Sequence, residues 1–124
     1  MYRVSVTRHF DSAHFLRGYE GKCEALHGHR YRVRLTVKSS VLNDIGLAFD
    51  FTLLKKELDA VIAKYDHHCL NDVPPFDSIN PSAENIAETI YRELKSRMEK
   101  APVEMTEVEV WESPDSSATY TPDK

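Results

Sequence analysis

The chain has 124 residues, of which 41% are hydrophobic and 29% are charged, and its formal net charge is -4. This length suits a single domain, residues 1–124, with a modest core, and the acidic balance gives no reason to expect general nucleic-acid binding. No apolar run is long enough to cross a bilayer, and the N-terminal residues lack the apolar core of a signal peptide. We therefore expect a cytoplasmic protein without a membrane partner, in which Cys23 and Cys69 are thiols rather than a disulfide.

Two strands are predicted in the first third of the chain. Hydrophobic and polar residues alternate over residues 2–8, and Phe10 and His14 continue this strand with an irregularity such as a bulge. A loop over residues 15–26 follows, and a second alternation then predicts a strand over residues 29–38.

Two helices and two further strands are predicted in the rest of the chain. Asp50 is a suitable N-cap for an amphipathic helix over residues 51–65. A second helix is expected to begin at Asn80-Pro81-Ser82, with the proline in its first turn. Strands are expected over residues 103–112 and 118–120. This order predicts an α+β fold (ββααββ), a four-stranded antiparallel sheet with both helices on one face.

Three histidines are expected to meet at one end of this sheet. His27 and His29 lie two residues apart at the start of the second strand, so their side chains point to the same face. His14 ends the first strand, and a loop that folds back would bring it across to the pair. Zinc prefers neutral imidazoles, and catalytic zinc sites have three protein ligands and an open fourth position. The sequence therefore predicts a Zn²⁺ site at His14, His27 and His29; the alternative is a solvated turn with incidental histidines.

Short motifs spread over nearly the whole chain carry a family resemblance. In chain order they are Phe10-Asp11-Ser12-Ala13-His14, Cys23-x3-His27-Gly28-His29, Gly46-x3-Asp50-Phe51-x2-Leu54-Lys55, Asp66-His67-His68, Leu70-Asn71-Asp72, Asn80-Pro81-Ser82-Ala83-Glu84-Asn85 and Trp111-Glu112. With these motifs the chain resembles the 6-pyruvoyltetrahydropterin synthase family. The three-residue gap between Cys23 and His27 is typical of its bacterial carboxy branch, the 6-carboxytetrahydropterin synthases of queuosine biosynthesis.

The resemblance implies a fold, an assembly and a reaction. The fold is the tunnelling fold, in which sheets of neighbouring subunits join into a barrel-like trimer and two trimers stack into a homohexamer with active sites at subunit interfaces. The implied enzyme is a zinc-dependent lyase that converts 7,8-dihydroneopterin triphosphate to 6-carboxy-5,6,7,8-tetrahydropterin, releasing acetaldehyde and triphosphate. Two alternatives stay open: a synthase that stops at 6-pyruvoyltetrahydropterin, and a non-catalytic protein that binds zinc or a pterin.

The resemblance also implies that three residues transfer protons. Cys23 corresponds to the family's general base, and nearby positive charge from Lys22 and zinc would favour the thiolate. The alternative is a buried structural cysteine. Asp66 and His67 correspond to the acid–base pair that works with this cysteine. An aspartate at the C-terminal end of a helix faces the negative end of the dipole, which favours a paired role; the alternative for His67 is complementarity to that dipole.

Substrate contacts follow from the same motifs. Glu112 resembles the pterin anchor, because a carboxylate can accept two parallel N–H bonds from a guanidine-like edge; the alternative is a surface glutamate. Its position in the strand pattern places it on the apolar side. Ser82, Ala83 and Glu84 correspond to a second pterin-binding segment, although the alanine replaces a hydroxyl residue common in the family. Glu84 could equally serve the helix dipole. Four basic residues could neutralise the triphosphate, and the sequence does not say which of them act: Arg8, Arg17, Lys22 and Arg30.

Overall fold

The computed structural model describes residues 1–18 and 25–123, and these residues form four strands and two helices. In chain order the elements are β1 (Tyr2–His14), β2 (His27–Ser39), α1 (Phe51–Ile62), α2 (Ala83–Arg97), β3 (Glu104–Ser113) and β4 (Ser116–Tyr120), with a 3₁₀ turn at Leu70–Asp72 between the helices. The ββααββ order predicted from the sequence is confirmed. No helix within the described ranges has the length and apolar character needed to cross a membrane.

The four strands form one antiparallel sheet in the order β1-β2-β3-β4. Helix α1 packs against β1, helix α2 packs against β3 and β4, and the two helices contact each other. Apolar residues of alternating strand positions and of one stripe on each helix fill the layer between sheet and helices. The fully buried members of this core include Phe10, Tyr31, Val33, Leu35, Leu54, Leu58, Ile86, Ile90, Leu94, Val108 and Val110.

Strand β1 is regular over its whole length, so the irregularity expected within it is wrong. Its register against β2 runs without a shift from Tyr2 opposite Ser39 to His14 opposite His27. The inward positions of β1 include Arg8, whose guanidinium reaches Asp59 of α1 at 2.9 Å. A charged residue at an inward position looks like a break in the alternation, although here it marks a contact between the strand and the helix. Register shifts occur instead between β2 and β3 at Thr36/Val37, and between β3 and β4 at Trp111/Ser113.

The helix ends are set by side-chain caps. The side chain of Asp50 accepts a hydrogen bond from Thr52 N at 2.8 Å, as predicted, but α1 ends at Ile62 rather than at residue 65. Ser82 is the N-cap of α2, with its Oγ accepting from Asn85 N at 3.2 Å. The proline before it therefore precedes the cap, and the expectation of a proline in the first turn is wrong.

Candidate functional site

Three imidazole rings converge where β1 ends and β2 begins. His14 and His27 are direct cross-strand partners, and His29 follows on the same face of β2. The ring centroids lie 4.7 Å apart for His14 and His27, 5.1 Å for His14 and His29, and 4.5 Å for His27 and His29. The ligand atoms of these three rings and of Glu112 all lie within 4.8 Å of one another. The predicted convergence of the three histidines is thus observed in the fold.

Backbone carbonyls fix which ring nitrogens face the cluster. His14 Nδ1 lies 2.8 Å from the carbonyl oxygen of Pro81, and His27 Nδ1 lies 2.6 Å from that of Ala25. A carbonyl oxygen only accepts, so each Nδ1 is the protonated donor. In the neutral ring Nε2 then carries the lone pair. Hydrogen bonds of this kind orient histidines that bind metals.

Two of the ring nitrogens are buried without a hydrogen bond. His14 is fully buried, and neither His14 Nε2 nor His29 Nε2 has a hydrogen-bond partner among the described residues. Burial lowers the pKa of His14, against raising effects from the Pro81 carbonyl and from Glu112. Burial likewise lowers the pKa of His29. Neutral rings with buried, unsatisfied nitrogens fit a metal ion, because leaving such an atom unsatisfied costs about 1–3 kcal/mol.

Glu112 lies beside the histidines near the end of β3. Its Oε1 is 3.2 Å from His29 Nε2 and 3.7 Å from His14 Nε2. The side chain is 26% exposed, whereas that of His14 is 0% exposed. The expectation that Glu112 faces the apolar side of its strand is confirmed by these contacts.

A cavity of about 460 Å³ opens from the histidine cluster onto the outer face of the sheet. Its wall includes Gly28, His29 and Glu112 from the cluster and a set of residues on that outer face: His9, Arg30, Arg32, Trp111, Ser113 and Pro114. A molecule bound at the cluster could therefore extend over a basic and aromatic surface.

Arg32 and Trp111 line the cavity, although neither residue is predicted to bind from the sequence. The Arg32 guanidinium lies 3.8 Å from the centroid of the Trp111 ring, a cation–π stack. The two residues are direct cross-strand partners. The available signal was the row of basic residues at even positions of β2, but the sequence alone did not pair any of them with the tryptophan.

The basic residues considered for the triphosphate have different positions. Arg30 lines the cavity and pairs with Asp11 at 3.1 Å. Arg8 pairs with Asp59 of α1, as described above. Arg17 donates to the carbonyl oxygens of Phe76 and Ile79 and so fastens a loop. Lys22 lies outside the described residues.

Asp66 and His67 form a second cluster, separate from the three imidazoles. His67 Nδ1 lies 2.9 Å from Asp66 Oδ1, which also accepts from the backbone N–H of Asp11 at 2.9 Å. Asp11 occupies an odd position of β1, so it projects from the face opposite to His14. The pair and the Asp11 carboxylate form a group of their own, so the fold does not bring this pair to the histidine cluster within one chain. Cys23, its expected partner, lies outside the described residues.

The expected second pterin-binding segment lies at the start of α2, directly after Pro81, whose carbonyl oxygen accepts a hydrogen bond from His14 Nδ1. Ser82 Oγ already accepts a hydrogen bond as the helix cap, Ala83 is buried, and Glu84 is exposed in the first turn. None of the three is among the described residues that line the cavity.

A family model described as 6-pyruvoyl tetrahydropterin synthase matches residues 3–123. The chain belongs to the 6-pyruvoyl tetrahydropterin synthase family. This match confirms the family resemblance carried by the sequence motifs. The observed four-stranded sheet with two helices has the T-fold of solved structures in this family.

Relatives within the family cover most of the chain. A protein named 6-carboxy-5,6,7,8-tetrahydropterin synthase from Bacillus subtilis is 34% identical over 130 residues, covering 99% of this chain and 87% of the relative. One of the same name from Synechocystis is 38% identical over 117 residues, covering 90% and 86%. The structure of Caenorhabditis elegans 6-pyruvoyl tetrahydropterin synthase superposes with a TM-score of 0.84 at 28% identity, covering 99% of this chain and 98% of that one.

Proposed function

We propose that this enzyme converts 7,8-dihydroneopterin triphosphate to 6-carboxy-5,6,7,8-tetrahydropterin, with release of acetaldehyde and triphosphate, in the queuosine (7-deazaguanine) pathway. The proposal is supported by the names of the two bacterial relatives. The observation that carries it is the group of three imidazoles with buried, unsatisfied nitrogens next to a carboxylate at a cavity.

Zinc is the proposed cofactor, held by His14, His27 and His29. The donor set supports this metal, because the Nδ1 atoms of two rings are engaged with carbonyl oxygens and their Nε2 lone pairs remain for the ion. When bound, zinc would polarise an oxygen of the substrate side chain and make a neighbouring C–H proton easier to remove. Burial lowers the pKa of His14 and of His29, which favours the neutral rings that a metal ion requires.

The pterin ring is proposed to bind through Glu112. Among the described residues, the only basic side chains within 4.0 Å of this carboxylate are the two imidazoles, so no lysine or arginine competes for its oxygens. A carboxylate free of such partners can accept two N–H bonds from the guanidine-like edge of a pterin. Glu84, Ser82 and Ala83 are proposed as further contacts to a pterin bound in a neighbouring subunit's cavity. The hydroxyl of Ser82 still has its proton available to donate.

Proton transfers are assigned to Cys23, Asp66 and His67. Cys23 is the proposed general base that removes the side-chain proton. In the Asp66–His67 pair the ring Nδ1 lies 2.9 Å from the carboxylate, and the imidazole is 77% exposed, so we propose that this pair gives and takes protons at the later steps. Because this pair and the metal cluster face opposite sides of β1, we propose that active sites form between subunits. The proposed assembly is a homohexamer, a dimer of trimers in which sheets join into a barrel.

The triphosphate is proposed to lie over the outer-face wall of the cavity. Arg32 is the strongest candidate there, because no carboxylate pairs with it among the described residues and its guanidinium lies over the Trp111 ring. The nearby Arg30 shares its charge with Asp11. A guanidinium with free N–H groups can form charge-assisted hydrogen bonds with phosphate oxygens.

Product analysis tests the proposal. Zinc-loaded protein is incubated with 7,8-dihydroneopterin triphosphate, and acetaldehyde and the pterin product are measured by mass spectrometry. We expect one acetaldehyde per triphosphate released, and a H27A variant should release neither. Triphosphate release without acetaldehyde would instead support a 6-pyruvoyltetrahydropterin synthase, which the superposition on the nematode enzyme favours as the second candidate.

A further inference from the structure

Asp11 of β1 contacts both members of the Asp66–His67 pair. Its backbone N–H donates to Asp66 Oδ1 at 2.9 Å, and its carbonyl oxygen accepts from the backbone N–H of His67 at 2.6 Å. The side chain of Asp11 is close as well, because one of its carboxylate oxygens, one of Asp66 and a ring nitrogen of His67 lie within 4.8 Å of one another. Two carboxylates therefore stand beside one imidazole, although only that of Asp66 is assigned to proton transfer.

Arg30 binds the Asp11 carboxylate at both of its oxygens. The two residues are direct cross-strand partners, and Arg30 Nε and Nη2 donate to Asp11 Oδ1 at 3.1 Å and to Oδ2 at 3.4 Å. The hydrogen bond from Arg30 lowers the pKa of Asp11, so this carboxylate carries its charge at neutral pH. Such a two-pronged contact uses the planar shape of both groups.

The guanidinium of Arg30 is also within the electrostatic reach of Asp66. The negative charge of Asp66 adds to that of Asp11 in raising the pKa of Arg30. The side chain of Arg30 is 68% exposed, so little packing prevents it from turning towards the second carboxylate. The remaining titratable groups around Asp11, among the described residues, are the imidazoles of His67 and His9. Arg30 therefore supplies the permanent positive charge of this group.

A turn of Arg30 towards Asp66 would disturb the pair that is proposed to transfer protons. Asp66 Oδ1 lies 2.9 Å from His67 Nδ1. A guanidinium at the Asp66 carboxylate would compete with the imidazole for its oxygens, because a hydrogen bond between two charged groups is about twice as strong as one between neutral groups. The imidazole is 77% exposed, so its orientation depends on Asp66 rather than on packing.

We infer that Asp11 is a positioning residue for proton transfer, because its carboxylate holds Arg30 and so leaves the Asp66 carboxylate to His67. The inference rests on the role proposed above for the Asp66–His67 pair. The backbone of Asp11 fixes where the pair lies, and its side chain engages the cation that would otherwise bind Asp66. The aspartate of the Phe10–His14 motif thereby acquires a role that metal and pterin binding leave unexplained.

Kinetic constants of D11N, with and without Arg30, test this role. Asparagine keeps the size of the side chain and both backbone hydrogen bonds but releases the arginine. We expect kcat to fall about tenfold, a part of the roughly 10²–10⁴-fold that a general acid–base group contributes, while KM changes by less than about twofold. When R30Q is already present, D11N should lower kcat by less than about twofold, because the competing cation is gone. D11E, which keeps the charge, should retain most of the wild-type kcat.

The matched control is D59N, which removes the carboxylate of another ion pair with an arginine of β1. Asp59 lies 2.9 Å from Arg8 and is 50% exposed, close to the 46% of Asp11. Loss of an exposed ion pair as such should leave the kcat of D59N near that of the wild type. Equal losses of kcat in D11N and D59N, or the same loss in D11N whether or not Arg30 is present, would overturn the inference.

A crystal structure of D11N gives a readout that does not depend on turnover. Arg30 should lie against the Asp66 carboxylate, with nitrogen–oxygen distances of about 2.7–2.9 Å. A guanidinium that stays beside residue 11 or turns to solvent would overturn the inference. Wild-type protein without turnover would instead refute the proposed function, and the D11N structure would still decide whether Arg30 competes for Asp66.

Discussion

Replacing His67 by glycine or by alanine should separate backbone strain from loss of the ring. His67 has a φ of 60°, the left-handed region, where a residue with a Cβ costs about 1–2 kcal/mol. Its backbone N–H donates to Asp11 O at 2.6 Å and the preceding Asp66 accepts from Asp11 N, so the conformation is fixed by β1. The imidazole is 77% exposed and contributes little packing.

The expected difference in stability between the two variants follows from the backbone strain at this position and the entropy of the unfolded chain. Glycine removes the cost of the left-handed conformation but adds about 0.4–1 kcal/mol of unfolded-chain entropy. H67G should therefore be more stable than H67A by roughly 0.5–1 kcal/mol. For a chain of this length the corresponding difference in Tm is about 2–4 °C.

Urea unfolding at one protein concentration and with saturating zinc measures the difference. Both variants lack the imidazole, so both should lose turnover although one is the more stable. H67N provides a control, because asparagine tolerates the left-handed region better than alanine does. An H67A protein as stable as H67G would refute the argument that the fold holds this residue under strain to present its ring.

Three further predictions concern the cavity and the metal ligands. R32A should weaken binding of inorganic tripolyphosphate about tenfold in calorimetric titration, because a hydrogen bond to a charged group contributes about 1.5–3 kcal/mol. The R34A control should bind tripolyphosphate nearly as tightly as the wild type, because the Arg34 guanidinium is already paired with Glu109 at 2.6 Å. Equal losses of affinity in the two variants would mean that only overall charge matters. H27A should keep its fold by circular dichroism but bind no stoichiometric zinc, and full metal content in it would remove this residue from the ligand set. The metal-free protein should lose stability as the pH falls below about 6.5. Burial lowers the pKa of His14 and of His29 in the folded protein, so the unfolded chain binds protons at a higher pH than the folded protein does. Urea unfolding across that pH range measures the loss, and a stability that does not change with pH would contradict the prediction.

Strand periodicity correctly predicted that the three histidines lie close together. His27 and His29 share a face because they are two residues apart, and the unbroken register of β1 sets His14 opposite His27. Periodicity does not explain the inward position of Arg8, because the sequence does not show that Asp59 lies across from it. A charged residue at an inward strand position can be recognised as part of a regular strand only when its partner on the helix is known.

The outer wall of the cavity could not be predicted from periodicity alone. Arg32 stacks on Trp111 because the two are cross-strand partners, in a regular stretch of pairing that ends at the shift between Thr36 and Val37. The sequence gives no signal for the position of such a shift. It does identify both residues as lying in strands, which is why their pairing follows directly once the register is known.

The position of the Asp66–His67 pair depends on packing after α1. Ser12 Oγ donates to Tyr65 O, and Ala13 N donates to His68 O at 3.1 Å, so this segment runs along the free edge of β1. These are contacts between residues far apart in the chain, and no local pattern specifies them. As a result, the sequence identified the pair, but only the fold shows that it faces away from the histidines of the same chain.

The most direct test of the account is to measure turnover while zinc is returned to metal-stripped protein. We predict that acetaldehyde formation from 7,8-dihydroneopterin triphosphate is absent without metal and rises in proportion to bound zinc, up to one ion per chain. Full turnover by protein that contains no metal, or zinc binding that restores none, would contradict it.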